Sequence, residues 1–393
     1  MAHSKNIEIW RQIEDMKSKN FETVIPLDEI GLRSGTFSHS AADGSGGKKI
    51  IPMVLSADNN FATQMCVTIY SLLKNANRDT FYDLHLLLSS DFEEKYKVAI
   101  SEYETGGKCK VNFIDMGMHR IGVSAGYFPE AAYCRLLAAD LLPNYSKCIY
   151  LDSDIVVLDD LFGLYSTDMT GFYIAGVKDL RIISCDARLY VASIGVKDVN
   201  SYVNSGVLVM NLDSIRENGL VKRFISMAKH GIDGKNQFEF PDQDILNIVC
   251  QGKIKHLDYR FNVLPSFVLE SAIEANFGKE VILEAINNPS VVHFAVKSSK
   301  PWKNPTAPFA EKWWKYARKS PFYEEMLANV KHSEFAKELS MICMVLAGKY
   351  SKFNYHRTKV FSKITFGKTR ARYAEKNLRI AEALRLIEKL SNS

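Results

Sequence analysis

From Lys48 onward the chain alternates short apolar, β-branched runs with amphipathic stretches, and this alternation constrains its fold more than any other feature. The runs are "KIIPMVLS", "YDLHLLLSS", "KVNFIDM", "KCIYLDSDIVVL", "FYIAGVKD" and "YVNSGVLVMNL". Between the early ones, "ATQMCVTIYSLLKNA" and "DFEEKYKVAISEYE" repeat their apolar residues at helical spacing. Near-continuous apolar strands are covered on both faces, and strands that alternate with helices are joined by crossovers. The pattern therefore predicts an α/β domain around a largely parallel sheet. With 393 residues, 47% of them hydrophobic and 24% charged, the chain can bury a large core. Later, "KIKHLDYRFNVL" and "VVHFAV" read as further strands, and a helix-rich region follows from about Glu311.

Several classes of protein are excluded. The seven cysteines (Cys66, Cys109, Cys134, Cys148, Cys185, Cys250 and Cys343) are scattered, odd in number and without zinc-site spacing, which argues against a disulfide framework or structural zinc and for a reducing cytosol. The first residues, "MAHSKNIEIWRQIEDMKSKN", lack the basic-then-apolar order of a signal peptide, and the longest apolar stretch, "MICMVLAG", is too short to cross a bilayer. Residues 1–47 open with a predicted short helix, Ile7 to Lys19, and end in the linker-like "SHSAADGSGGKK". The net charge of +5 is local: Lys349 to Arg372 carries eight Lys or Arg and no acid, leaving about −3 for the rest.

Within "KCIYLDSDIVVLDDLF", Asp152 and Asp154 interrupt a run that would otherwise be buried. Residues two apart in a strand point the same way, so the two carboxylates project together from its carboxyl end, where open α/β sheets bind ligands. Two such charges repel and are costly to desolvate unless a cation lies between them, and oxygen ligands favour Mg²⁺ or Mn²⁺. A plain acidic turn is the alternative; apolar flanks on both sides, and "DD" at Asp159 and Asp160 as the more ordinary turn signal, count against it. Asp152-Ser153-Asp154-Ile-Val156 also matches the nucleophile motif of haloacid-dehalogenase-like phosphatases. That motif belongs to a first core strand, whereas here several strands precede it, and no later glycine-flanked acidic pair with a preceding lysine appears.

Further polar groups punctuate the apolar pattern. Ala57-Asp58-Asn59-Asn60 ends the first strand, suited to a base edge and ribose, although Asp58 could equally cap a helix. Arg135 interrupts the apolar "AAYCRLLAADLLP" and either reaches solvent along its stem or pairs with a phosphate or carboxylate. Asn204-Ser205-Gly206 opens a strand, and Asp242-Gln243-Asp244 starts a helix after Pro241; amides beside a carboxylate suit sugar hydroxyls. His293 follows an apolar run and precedes Lys300-Pro301-Trp302; it is either a core histidine or, beside a metal-bound diphosphate, a third ligand.

In this order the motifs resemble the retaining glycosyltransferases of family eight, which include glycogenin and the bacterial lipopolysaccharide galactosyl- and glucosyltransferases. The resemblance covers about Lys48 to Pro305. It implies a GT-A fold, a UDP-sugar donor (UDP-galactose or UDP-glucose) and Mn²⁺, or Mg²⁺, held by Asp152, Asp154 and His293. It further implies Ala57, Asp58, Asn60, Asp152, Ser153 and Lys300 on the nucleotide diphosphate, with Arg135, Asn204, Asp242 and Gln243 around the sugar. One departure stands out: the family's His-x-x-Gly-x-x-Lys-Pro-Trp is here His293-Phe-Ala-Val-Lys297-Ser-Ser-Lys300-Pro-Trp, one residue longer and without the glycine. Lys297 is thus a second candidate for the phosphate, and a sugar-nucleotide binder without turnover is a second reading of the chain.

Three regions follow: an extension and linker over 1–47, a GT-A catalytic domain over 48–310, and a helix-rich basic region over 311–393. In the last, Tyr350, Phe353, Tyr355, Phe361 and Phe366 interleave with the basic residues, a mixture suited to an anionic membrane surface; a solvated basic face is the plain alternative, and nucleic acid, which the same composition could bind, ranks below both because no reading motif is present. The expectation is a cytoplasmic enzyme on the inner face of the membrane, acting on a glycan, glycolipid or glycoprotein acceptor.

Overall fold

The computed structural model describes residues 48–119, 130–184, 187–232, 238–265, 279–305 and 307–331. The expected N-terminal helix and linker, and the basic region Lys349–Arg372, lie outside the described residues.

Nine strands are described: β1 Lys49–Ala57, β2 Thr80–Leu88, β3 Cys109–Asp115, β4 Lys147–Leu151, β5 Ile155–Val157, β6 Ile174–Lys178, β7 Val203–Asn211, β8 Ile254–His256 and β9 Val291–His293. Seven of them form one sheet in the order β3-β2-β1-β4-β7-β6-β8, in which β7 runs against its neighbours β4 and β6 and the other pairings are parallel. The chain moves outward from β1 to β3 and then returns to the far side of β1 as β4. The strand order therefore reverses between β1 and β4, and the crevice at their carboxyl ends is the favoured ligand position. Because β7 is reversed, its first residues open onto that same edge, so Leu151 pairs with Val207 and the Asp152 N–H donates to the Gly206 carbonyl at 2.8 Å.

Alternation along the strands sorts the core into two layers. Ile51, Met53 and Leu55 of β1 face α1, Ala62–Lys74, whose Met65, Ile69 and Leu72 recur at helical spacing, and α2, Glu94–Ser101. Val54, with Cys148, Tyr150, Leu208 and Met210, faces the opposite layer. That layer contains a 3₁₀ segment at Glu130–Leu137, α3 at Leu220–His230 and α4 at Pro241–Val249. The segment "AAYCRLLAADLLP" is 3₁₀ as far as Leu137 with one α-turn at Ala138–Leu141, because eight residues of apolar spacing fit three residues per turn as well as 3.6.

One difference from the sequence reading lies at the heart of the fold. "KCIYLDSDIVVL" is not one strand: β4 stops at Leu151, and β5 leaves the central sheet to pair antiparallel with β9, Ile155 opposite His293. Carboxylates cannot continue into a fully buried ladder, so the backbone bends at Asp152–Asp154 and turns them toward the crevice. α5, Lys279–Asn287, covers Val263 and Leu264 through Ile282 and Ala285. The β5–β9 pair is covered by Trp302 and by α6, Ala310–Ala317, and α7, Tyr323–Lys331, which contribute Trp313, Tyr316 and Met326.

Candidate active site

Every central strand whose end reaches the crevice contributes a polar group to it. β1 delivers Asp58, the β4–β5 bend delivers Asp152 and Asp154, β6 ends at Asp179, β7 opens with Asn204 and Ser205, and the first turn of α4 supplies Asp242 and Gln243. They line a cavity of about 310 Å³, within the range that holds small ligands.

At its floor Asp152, Asp154 and His293 converge, with one ligand atom from each lying within 4.8 Å of the others. His293 Nε2 is 3.2 Å from Asp154 Oδ1 and 3.5 Å from Asp152 Oδ2. Carboxylate oxygens and a ring nitrogen aimed at one point fit a divalent cation such as Mn²⁺ or Mg²⁺. Gly206 makes the approach possible, because a Cβ there would come within 2.2 Å of His293 Cε1 and 2.8 Å of Asp152 Oδ2.

Lys300 pairs with this cluster. Its Nζ lies 2.5 Å from Asp154 Oδ2, accepts no place in the cavity wall, and donates to the Phe294 carbonyl at 3.1 Å, with Phe61 and Trp302 stacked around it. Burial disfavours the Asp154 carboxylate, but Lys300 and His293 outweigh it and hold its pKa far below the usual carboxylate range. The physical reason is charge balance: converging carboxylates draw in the nearest buried ammonium. Lys297, the second candidate, is exposed.

Arg135 does not reach solvent. It is 5% exposed, donates from Nη2 to Asp152 Oδ1 at 2.8 Å and from Nη1 to the Ser205 carbonyl at 2.8 Å, and its Nε lies 3.2 Å from Asp242 Oδ2 while donating to the Ala132 carbonyl. Its plane also stacks on Tyr150, whose hydroxyl donates to the same Asp152 Oδ1 at 2.9 Å. Burial opposes the guanidinium charge, yet Asp152 and Asp242 push its pKa further up. Asp242 moves upward, first through burial and then through the like charge of Asp152, with Arg135 opposing.

The remaining expected residues are placed as follows. Asp58 lines the cavity and also caps the turn after β1, its Oδ1 accepting from the Asn60 N–H at 3.0 Å. Asn60 is exposed and outside the wall, with its Nδ2 donating to Asp58 Oδ2 at 3.1 Å. Ala57 and Ser153 are in the wall, but the Ser153 hydroxyl donates inward to the Ser56 carbonyl at 2.7 Å. Gln243 is tied at both ends, accepting from the Ser205 N–H at 3.0 Å and donating to Asp179 Oδ2 at 3.2 Å. Asn204 accepts from the Gly206 N–H at 3.0 Å and donates to the same Asp179 oxygen at 3.1 Å.

Sequence reasoning missed Asp179, Tyr150 and Asn262. Asp179 ends "FYIAGVKD" as Asp58 ends β1, so the same strand-end rule points to it. Asn262, buried against His293, has no such signal.

The profile described as glycosyl transferase family 8 matches residues 52–306. A Haemophilus influenzae protein provisionally described as a glycosyltransferase is 30% identical over 219 residues, 54% of this chain and 63% of that one. An Escherichia coli lipopolysaccharide 1,2-glucosyltransferase is 25% identical over 319 residues, 77% of this chain and 89% of that one. The solved structure of the galactosyltransferase LgtC with donor and acceptor sugar analogues aligns at a TM-score of 0.58 and 25% identity, covering 69% of this chain and 96% of that one. The chain thus spans less than two thirds of the Haemophilus protein and most of the other two. A match that begins inside β1 and runs past Lys300 takes in the whole crevice together with its α/β frame, and places this GT-A chain in glycosyl transferase family 8.

Proposed function

We propose that this member of the family is a retaining, metal-dependent hexosyltransferase that moves glucose or galactose from a UDP-sugar to a cell-surface glycan such as a lipopolysaccharide core. The observation that carries this reading is the convergence of Asp152, Asp154 and His293 on the floor of the cavity at the strand-order reversal. The hexose and the acceptor class are supported by the relatives, one a lipopolysaccharide glucosyltransferase and one a galactosyltransferase.

Asp152, Asp154 and His293 would hold Mn²⁺ or Mg²⁺, which when bound would supply positive charge to a departing diphosphate. Asp58 receives the uridine at the end of β1, and Asn60, bonded to Asp58, steadies it. Lys300 exchanges Asp154 for a phosphate oxygen when the donor enters. Arg135 keeps Asp152 and Asp242 apart and correctly aimed. The oxocarbenium-like sugar develops beside Asp242, Gln243 and Asn204, sheltered from water. Gln243 is tied at both ends and an amide is a weak nucleophile, and Asp242 is held through Oδ2 by Ser205 at 2.9 Å and Arg135 at 3.2 Å. This supports attack by the acceptor hydroxyl on the face the diphosphate leaves, which retains configuration; a covalent sugar trapped on Asp242 would overturn that route.

The phosphatase alternative loses its footing with the family match, and Asp152 Oδ1 is already occupied by Arg135 and Tyr150. UDP release from a panel of UDP-sugars, with and without Mn²⁺, tests the proposal. Metal-dependent release from one sugar, lost in Asp154→Asn, is the expected result. Binding of UDP-sugar with no release under any condition would instead favour the inactive sugar-nucleotide binder.

No described helix is long and apolar enough to cross a membrane. The basic, aromatic stretch Lys349–Arg372 supports peripheral attachment to an anionic inner leaflet, near a lipid-linked acceptor. Removing residues from 349 onward is expected to abolish sedimentation with anionic vesicles and spare donor hydrolysis. Unchanged sedimentation would refute the attachment.

A further inference from the structure

The ring of His293 is held from behind by a residue outside the sequence motifs. Val263 bridges to Val292 and its carbonyl accepts from the His293 N–H at 3.0 Å, which lays Asn262 alongside the ring. Asn262 Oδ1 sits 3.0 Å from His293 Nδ1.

The neighbours dictate how that amide points. The Gly206 N–H can only donate, and it meets Asn204 Oδ1 at 3.0 Å, so Asn204 turns its Nδ2 to Asp179 Oδ2 at 3.1 Å. Asn262 Nδ2 donates to the same Asn204 oxygen at 2.8 Å, which leaves Asn262 Oδ1 for the ring. An amide oxygen only accepts, so the hydrogen is on Nδ1. In the neutral ring the lone pair then falls on Nε2, the atom that faces Asp152 and Asp154. The opposite tautomer would set the Nδ1 lone pair against the amide oxygen.

We propose that Asn262 is a positioning residue of the cation site: it fixes the tautomer of His293 that offers Nε2 as ligand. Through Asn204 and Asp179 it also ties that ring to the cavity wall, since Asp179 Oδ2 accepts from Gln243 as well. The chain of bonds makes the metal floor and the sugar wall one rigid unit. This inference rests on the metal reading of Asp152, Asp154 and His293.

The test measures Mn²⁺ affinity of the full chain from the electron paramagnetic signal of free Mn²⁺, for the wild type, Asn262→Leu and Asn262→Asp. Alongside it, ¹⁵N correlation spectra of the histidine rings are taken at alkaline pH on wild type saturated with diamagnetic Mg²⁺, so that no proton is held at Nε2 by Asp152 and Asp154, with His293 assigned by its loss in His293→Gln. The leucine variant, similar in size but unable to accept, is expected to bind Mn²⁺ about 10- to 100-fold more weakly. The aspartate variant keeps an oxygen at Nδ1 and is expected to stay within about threefold of wild type. The wild-type ring is expected as the Nδ1–H tautomer. A folded leucine variant with wild-type affinity, an aspartate variant as weak as leucine, or an Nε2–H ring in the wild type would each overturn the proposal. Should the leucine variant not fold, the aspartate variant and the wild-type spectrum still decide. A wild type that binds neither Mn²⁺ nor Mg²⁺ defeats the metal reading on which the proposal rests, an outcome distinct from the three above.

Discussion

Gly206→Ala isolates one steric fact at the floor of the crevice. The backbone at Gly206 lies outside the left-handed region, so alanine brings no conformational strain and only its Cβ matters. That atom would lie 2.2 Å from His293 Cε1 and 2.7 Å from Nδ1, where ordinary contact begins at 3.4 Å, so the ring must retreat by about 1.2 Å. The ring has little room to retreat: it is 2% exposed and bonded to Asn262 at 3.0 Å. Forcing one extra methyl into a packed site costs about 1 to 3 kcal/mol. A shift of that size in a ligand should weaken Mn²⁺ binding about 10- to 100-fold, as loss of a supporting residue does. Calorimetric unfolding with EDTA reads the first term, and titration of free Mn²⁺ reads the second. A variant that melts like the wild type and binds Mn²⁺ within about threefold of it would refute the steric role assigned to this glycine.

Three further outcomes are expected. Lys300→Met removes the ammonium that competes for Asp154, so Mn²⁺ should bind about tenfold more tightly, roughly 1.4 kcal/mol, while UDP release slows; weaker Mn²⁺ binding would contradict the ion pair's role. Arg135→Lys replaces a fork that spans Asp152 and Ser205 with a single point charge, and should lower stability by about 2 kcal/mol or more with near-complete loss of UDP release; wild-type melting would contradict it. Burial raises the Asp244 carboxyl to about 6, with the Tyr190 and Tyr202 hydroxyls opposing. A carboxyl raised on folding binds its proton more tightly in the native state, so its stabilisation is present below about pH 4 and fades as pH rises through about 6, about 3 kcal/mol in all. The stability difference between wild type and Asp244→Asn should fall across that window and level above it, and a flat difference curve would refute the assignment.

The carboxylate pair, the polar strand ends and the α/β order were legible because each is a local departure from an apolar pattern. What the pair does to the backbone was not: β5 leaves the sheet because β9, more than a hundred residues later, is there to receive it. Only packing shows why Gln243 stands between two acids. Asp244 turns inward to Tyr190, Tyr202 and the Phe240 N–H, each within 2.9 Å, whereas Asp242 faces Arg135 and Gln243 spans Ser205 and Asp179. The pairing of Lys300 with Asp154 was not legible, because the motif names the residue and not its partner, which stands 146 positions earlier. Asn262 shows the limit most clearly: its partner lies 31 residues away and no periodicity marks it.

The small β5–β9 ribbon carries Asp154 at one edge and His293 at the other, and beneath it lie Trp313, Tyr316 and Met326, all beyond residue 306 where the family match stops. The Asn75 side chain ties Tyr316 to the Val157 carbonyl, at 2.8 and 3.0 Å. The stretch of chain that defines kinship is thus shorter than the stretch that holds Asp154 and His293 in register. A gene fragment trimmed at the edge of the recognisable motifs would keep every residue of those motifs and yet leave Phe294 and Trp302 bare to water, so the sensible place to cut is after α7.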